Sequence, residues 1–219
     1  MTDLRGLVVR WQRGWGVARG VAPASDVGGG LRVHCRQNGR EVEYFAHGGA
    51  DLDGLAKLVL QEEVVTWLTV VSDEPSRAAA ALEAGGLVLL KRAEQLMTVD
   101  LRAHPRREPP APYRVETQVE DGRIAVEVID GEGAVGASGT AGLSGPDATA
   151  DKIGTVPEHR RRGLGSVVMS ALAGAAIAEG AENGILIASE DGQHLYSALG
   201  WRPVAEVLIA ARPGTVYPT

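Results

Sequence analysis

Residues 149–165, TADKIGTVPEHRRRGLG, decide how the rest of the chain is interpreted. The stretch predicts a short strand that ends at Val156, a tight turn with three consecutive arginines, and a helix from Ser166 to about Glu179. A helix begins with unpaired backbone N–H groups and a partial positive charge, so cations placed there call for a balancing anion.

Two glycines complete the predicted anion site. Gly163 and Gly165 have no Cβ, which lets backbone N–H groups approach an oxyanion closely and lets the turn adopt a positive φ. Gly163 directly follows Arg160, Arg161 and Arg162, and Gly165 lies two residues further on. A ligand that carries phosphate is the simplest interpretation of this combination.

Three kinds of phosphate loop compete for this pattern. The P-loop of nucleotidases is excluded, because the spacing of its glycines and its lysine are both missing. The dinucleotide fingerprint could begin at Gly163, but Val168 stands at its third glycine position and no ribose-binding acid follows in a clean βαβ unit. The pattern Arg-x-x-Gly-x-Gly remains, placed between a strand that ends Thr-Val-Pro and a helix.

A second motif lies downstream of the loop. A predicted strand over residues 184–188 precedes a short predicted helix over 191–199, and residues 195–201 read LYSALGW. The Arg-x-x-Gly-x-Gly loop resembles the acyl-CoA pyrophosphate loop of the GNAT superfamily of N-acyltransferases. LYSALGW is similar to that family's Leu-Tyr-x-x-Leu-Gly-Phe signature, with Trp in place of Phe. The resemblance covers about residues 113–210 and implies an α/β fold with a central mixed β-sheet flanked by helices.

The resemblance also implies roles for individual residues. Thr155 matches the position whose main chain binds the pantetheine arm and polarises the thioester carbonyl, and Tyr196 matches the general acid. Ser189 stands where the family often has an Asn that touches the CoA arm, although helix capping explains a Ser there equally well. Asp151 is either a catalytic base acting through water or an exposed carboxylate near a strand end. The predicted cofactor-binding set is Ile153, Thr155, Arg160, Arg161, Arg162, Gly163, Leu164, Gly165, Ser166 and Ser189.

Length and composition limit the classes of protein to which the chain can belong. The 219 residues allow one large or two small domains, and 44% hydrophobic residues suit a globular core. The net charge of −6 argues against nucleic acid as the main partner. No apolar run is long enough for a membrane span and the N-terminus lacks a signal-peptide layout, so we expect a cytoplasmic protein without a membrane partner. Cys35 is the single cysteine, and no Cys/His cluster predicts a metal site.

The N-terminal half has helix and strand patterns of its own. Trp11 and Trp15 lie at helical spacing with other apolar residues and are expected in the core. Asn38-Gly39 predicts a type I′ hairpin turn, and Asp51 or Asp53 predicts a helix cap. The predicted elements are a helix over residues 4–19, a hairpin over 31–47, a helix over 51–61 and a strand over 64–71.

A faint internal repeat links the two halves. Residues 68–73, LTVVSD, align with residues 185–190, ILIASE, and each segment precedes a helix that ends in Ala-Leu. In this register Ala79 occupies the position of Tyr196, and no arginine–glycine loop precedes the first copy. A true duplication and a chance similarity both stay open. In either case we expect the N-terminal half to supply packing rather than chemistry.

Residues 104–112 contain four prolines and form the predicted domain boundary. This places an N-terminal α/β region at 1–103, a connector at 104–112 and the GNAT-like domain at 113–219. Three antiparallel strands are predicted after the connector, over 113–119, 123–129 and 134–143. In the family two helices that shape the acceptor side precede this meander. They are missing here after the connector, so the N-terminal half could occupy their place.

The sequence thus predicts an N-acetyltransferase with acetyl-CoA as co-substrate and no metal. The predicted acceptor is a small-molecule or peptide amine that attacks the thioester directly, and a homodimer stays open. The alternative is a CoA-binding or structural module with a degenerate GNAT fold that has lost catalysis.

Overall fold

The computed structural model describes residues 3–37 and 39–218, and it confirms the predicted α/β class with mixed sheets flanked by helices. The helices are α1 Leu4–Arg19, α2 Leu52–Gln61, α3 Pro75–Ala84, α4 Leu164–Ala178 and α5 Glu190–Ala198. The strands are β1 Ser25–Asp26, β2 Leu31–Gln37, β3 Arg40–His47, β4 Thr66–Ser72, β5 Val88–Asp100, β6 Arg114–Glu120, β7 Arg123–Ile129, β8 Val135–Ser144, β9 Asp147–Thr155, β10 Asn183–Ala188 and β11 Arg202–Ala211.

The chain folds into two compact units that exchange segments. The first unit takes its residues from 1–12, 21–96 and 203–219, and the second takes 13–20 and 97–202. The chain therefore passes from one unit to the other inside α1, directly after α1, inside β5 and after the first residue of β11. The predicted boundary at residues 104–112 would instead divide the chain into two continuous stretches.

The first unit has its strands in the order β1-β2-β3-β4-β11-β5. Strands β3 and β4 are parallel, and their ladder continues to the pair His47↔Val71 at the end of β3. Strand β11 pairs antiparallel with β4. Helices α2 and α3 cover this sheet with buried apolar residues, among them Leu55, Val59 and Leu82.

The second unit contains the end of β5 and the strands β10-β9-β8-β7-β6. Strands β6 to β9 form an antiparallel meander, and β10 joins β9 in parallel. Helix α4 packs on the meander through Val167, Val168 and Leu172, which are almost fully buried. Each such side chain contributes roughly 1.5–3 kcal/mol on burial, so tertiary packing holds α4 in place.

Residues 13–20 of α1 also belong to the second unit, where they lie directly against strand backbone. A Cβ on Gly142 of β8 would collide with the carbonyl oxygen of Gly14, and a Cβ on Gly14 would collide with Thr149 of β9. The two glycines therefore permit a close helix-to-sheet contact. The part of α1 after Gln12 thus lies on strands β8 and β9 of the meander.

Most predicted elements are present, with a few shifts. The predicted hairpin is present, although its turn at Asn38 lies outside the described residues. Residues 88–100, between the last predicted strand of the N-terminal half and the connector, form one long strand. Helix α4 starts at Leu164, two residues before the predicted start, because Gly163 takes a left-handed φ of 77° at the N-cap. No helix within the described ranges is both long and apolar enough to cross a membrane.

Candidate active site

The loop between β9 and α4 has the backbone shape of an anion cradle. After Thr155 the chain makes a short 3₁₀ turn, Pro157–His159, before it enters α4. Two residues of the loop have positive φ, Arg161 at 63° and Gly163 at 77°. Left-handed residues within a turn direct successive N–H groups towards one concave side, where an anion can accept from several of them.

The backbone donors of this loop are open. Within residues 3–37 and 39–218, the N–H groups of the five residues 161–165 have no acceptor. Ser166 and Val167, which come next, both donate to the carbonyl oxygen of Gly163, at 3.0 and 3.3 Å. Gly163 provides no capping side chain, and a Cβ on it would meet nothing within 4 Å. Unpaired N–H groups at the positive end of a helix are a ready site for phosphate.

The three arginines of the loop differ in their contacts. Arg160 is exposed and makes only a long hydrogen bond, 3.4 Å from Nε to the carbonyl oxygen of Thr155. Arg161 is exposed and its side chain has no partner in the described part of the chain. Arg162 donates to the hydroxyl of Tyr113 at 2.7 Å and to the carbonyl of Glu158 at 3.1 Å. Arg160 and Arg161 are thus the cations available to a ligand.

Strands β9 and β10 diverge beside this loop. Their parallel ladder has three pairs and ends at Thr149↔Ile185, although β9 continues to Thr155 and β10 to Ala188. A β-bulge at Lys152, with a φ of 53°, bends β9 within the diverging part. The edge of β9 that faces β10 therefore has no strand partner from Ala150 onwards among the described residues. An extended ligand can pair with backbone groups along this edge.

Tyr196 lies on α5, which follows β10 directly. Ser189 caps this helix by accepting a hydrogen bond from the Gly192 N–H at 3.3 Å, so the capping explanation for Ser189 describes its observed contact. Tyr196 is 8% exposed. Burial, and then the charge of Asp151, raise the pKa of its hydroxyl to about 12. No other described residue forms a hydrogen bond with that hydroxyl. It is thus a protonated donor whose proton is not committed elsewhere.

Asp151 forms an ion pair that the sequence did not indicate. Its two carboxylate oxygens accept from Nε and Nη2 of Arg19 on α1, at 2.7 and 3.0 Å. Both side chains are largely buried, 10% exposed for Arg19 and 15% for Asp151, and the guanidinium lies 4.9 Å from the ring centroid of Trp15. Any role as a base through water must compete with this ion pair. Only the position of Arg19 in the last turn of a predicted helix could have hinted at the contact.

The remaining predicted residues lie around the loop with different exposures. The Leu164 side chain is in the core at 1% exposure, so only its backbone N–H faces the cradle. Ile153 is half-buried against the core, and Ser166 is half-buried in the first turn of α4. Among the described residues, no three His, Cys, Asp or Glu side chains are grouped to hold a metal ion.

Comparisons with known proteins bear on the family and the fold of the chain. Residues 93–201 match the model of the acetyltransferase (GNAT) family. A GCN5-related N-acetyltransferase from Kribbella flavida has a similar structure, with a TM-score of 0.74 over 98% of this chain and 97% of that chain at 16% identity. A GCN5-related N-acetyltransferase from Sphaerobacter thermophilus gives 0.62 over 87% and 79% at 13% identity. A tandem GNAT protein from the clavulanic acid biosynthesis pathway gives 0.56 over 87% and 84% at 15% identity. No curated protein sequence matches the chain.

The match and the shared fold define the reaction class as acyl transfer. The chain belongs to the acetyltransferase (GNAT) family, whose model covers the loop, β10 and α5. The predicted resemblance is thereby confirmed.

Proposed function

We propose that this enzyme transfers the acetyl group of acetyl-CoA to an amine. One observation carries the proposal: five consecutive open N–H groups lie at the start of α4, next to two strands that diverge. A diphosphate suits the first feature, and an extended amide-containing arm that ends in a thioester suits the second. Acetyl-CoA contains both parts in one molecule.

The residues of the loop and of β9 would hold the co-substrate. The backbone of residues 161–165, with Arg160 and Arg161, would bind the diphosphate. Ile153 and Thr155 would offer backbone groups to the pantetheine arm along the open edge of β9. The Ser189 hydroxyl would donate its proton to the CoA arm, because capping α5 uses only its oxygen as an acceptor.

The proposed chemistry is direct transfer without a covalent enzyme intermediate. The unprotonated amine attacks the thioester carbon and forms the C–N bond, while the backbone N–H of Thr155 stabilises the oxyanion. The C–S bond then breaks, and Tyr196 donates its proton to the departing thiolate. The proton lost by the amine returns through solvent to Tyr196. Asp151 lies near enough to raise the pKa of Tyr196, which keeps the acid protonated until the thiolate forms.

A CoA-release assay with a panel of amines tests the proposal. The free thiol of CoA should appear only when acetyl-CoA and an accepted amine are both present, and the acetylated amine should form in equal amount. Acetyl-CoA binding without thiol release for any amine would contradict catalysis and favour the CoA-binding module. Absence of acetyl-CoA binding would contradict the whole proposal.

A further inference from the structure

The Tyr113 hydroxyl connects two side chains of the phosphate loop. It accepts a hydrogen bond from Nη1 of Arg162 at 2.7 Å and lies 2.8 Å from Nδ1 of His159. Tyr113 is 8% exposed and directly follows the proline-rich residues 104–112. The loop is thus fixed by a residue that lies more than 40 positions earlier in the chain.

The chemistry of the guanidinium fixes the direction of one of these two hydrogen bonds. A guanidinium only donates, so the Tyr113 oxygen must accept from Arg162. The contact between the Tyr113 hydroxyl and Nδ1 of His159 is a hydrogen bond in either ring tautomer, because the hydroxyl can donate to an unprotonated Nδ1 or accept from a protonated one. Nε2 faces Oδ2 of Asp130 at 3.8 Å, and Asp130 itself accepts two backbone N–H groups of its own turn, at 2.9 Å each. The four side chains therefore form a continuous series of polar contacts, from Arg162 through Tyr113 and His159 to Asp130.

Packing makes the same contacts rigid. The rings of Tyr113 and His159 meet edge to face, with centroids 5.7 Å apart. Gly136 of β8 makes room for both, because a Cβ there would lie 3.0 Å from Cγ of His159 and 3.2 Å from Cε1 of Tyr113. The two rings have little freedom to move away from the loop.

These contacts act on the donors of the anion site. Arg162 belongs to the open set 161–165, and its side chain is tied at two points, to Tyr113 and to the carbonyl of Glu158. Donors that are already oriented need no further ordering when a ligand binds, which favours affinity. We propose that Tyr113 is a positioning residue of the acyl-CoA phosphate loop and acts through Arg162 and His159. This inference rests on the proposed function.

The first test compares two tyrosine-to-phenylalanine variants. Tyr113→Phe removes the hydroxyl that joins Arg162 and His159, and we expect acetyl-CoA to bind about tenfold more weakly. Turnover at saturating acetyl-CoA should stay within about twofold, because the reacting atoms lie elsewhere. Tyr44→Phe is the matched control, since Tyr44 is also buried and donates a 2.8 Å hydrogen bond to Glu62 in the first unit. Its acetyl-CoA affinity should be unchanged, even if both variants lose similar stability.

Two variants of His159 extend the test. His159→Asn keeps an acceptor near the Nδ1 position and should retain affinity, whereas His159→Leu should weaken acetyl-CoA binding as Tyr113→Phe does. They also decide the question if Tyr113→Phe does not fold. Wild-type affinity in Tyr113→Phe or in His159→Leu would overturn the positioning role and leave the proposed function intact. A wild-type protein that does not bind acetyl-CoA would overturn both.

Discussion

Tyr196 is the residue on which the proposed proton transfer depends. Tyr196→Phe removes one hydroxyl and almost no volume, and no described residue loses a hydrogen bond through it. We expect turnover to fall on the order of 10²- to 10⁴-fold with acetyl-CoA affinity nearly unchanged. Steady-state kinetics and calorimetric binding on both proteins measure the two quantities separately. Preserved turnover per folded molecule would show that the hydroxyl is not the general acid.

The raised pKa of Tyr196 gives a separate prediction about pH. The Tyr196 hydroxyl has a pKa of about 12, because burial and the charge of Asp151 disfavour the phenolate. The turnover number should therefore not decline through ionisation of this acid below about pH 11. A pH–rate profile measured on wild type and Tyr196→Phe checks this. A falling limb centred below pH 10 that is lost in the variant would contradict the raised pKa.

At the scale of single elements, the N-terminus of α4 can be tested by one methyl group. In Gly163→Ala the alanine must keep the backbone φ of 77°, which costs roughly 1–2 kcal/mol in the left-handed region. Its Cβ projects into the open side of the cradle. We expect acetyl-CoA affinity to fall at least about tenfold. Gly145→Ala is the control, because Gly145 also has a positive φ, 59°, and nothing within 4 Å of its Cβ position. Equal acetyl-CoA affinity in the two variants would show that the loop is an ordinary turn and not an anion site.

The ion pair between Arg19 and Asp151 anchors α1 to β9. Arg19→Met leaves a largely buried carboxylate without its partner, so we expect the free energy of unfolding to fall by about 3 kcal/mol. Arg102→Met is the matched control, since its pair with Glu182 is exposed and should be worth at most about 1 kcal/mol. Urea denaturation of both variants measures the difference. Similar small losses would show that the pair does not anchor the helix.

Whether a feature could be predicted from the sequence depends on how far apart in the sequence its interacting residues lie. The loop at residues 160–165 and the α5 motif were predictable, because turn glycines, charges and helix caps act within a few residues. The Arg19–Asp151 pair spans 132 positions and the Tyr113–Arg162 bond spans 49, and no local pattern announces either. The pairing of β11 with β4 was missed for the same reason, because a C-terminal strand joins a sheet formed by the first third of the chain.

At the scale of the whole molecule, the two units share an order of elements. Strands β3 and β9 each lead into a helix and then a parallel neighbour, β4 or β10, followed by a second helix, α3 or α5. We propose that this order reflects duplication, in line with the alignment of residues 68–73 with 185–190. Under this proposal the first copy has lost the features of the anion site.

The first unit should therefore bind no acyl-CoA, and each chain should bind one molecule. The N-terminus of α2 is already occupied by the carboxylate of Asp51, which accepts from the Gly54 N–H at 3.0 Å. Strands β3 and β4 stay paired through His47↔Val71, so they leave no cleft like that between β9 and β10. Titration calorimetry with acetyl-CoA should give a stoichiometry near one. A value near two would show that the first unit has kept a site.

The central claim is that the folded chain binds acetyl-CoA at the start of α4. Thermal unfolding of the wild-type protein with and without millimolar acetyl-CoA tests it most directly, because a ligand that binds only the folded state stabilises it by mass action. At a hundredfold excess over Kd the stabilisation is about 2.7 kcal/mol, and we predict a clear rise in Tm that is lost in Gly163→Val. An unchanged Tm, or an equal rise in wild type and variant, would contradict the claim.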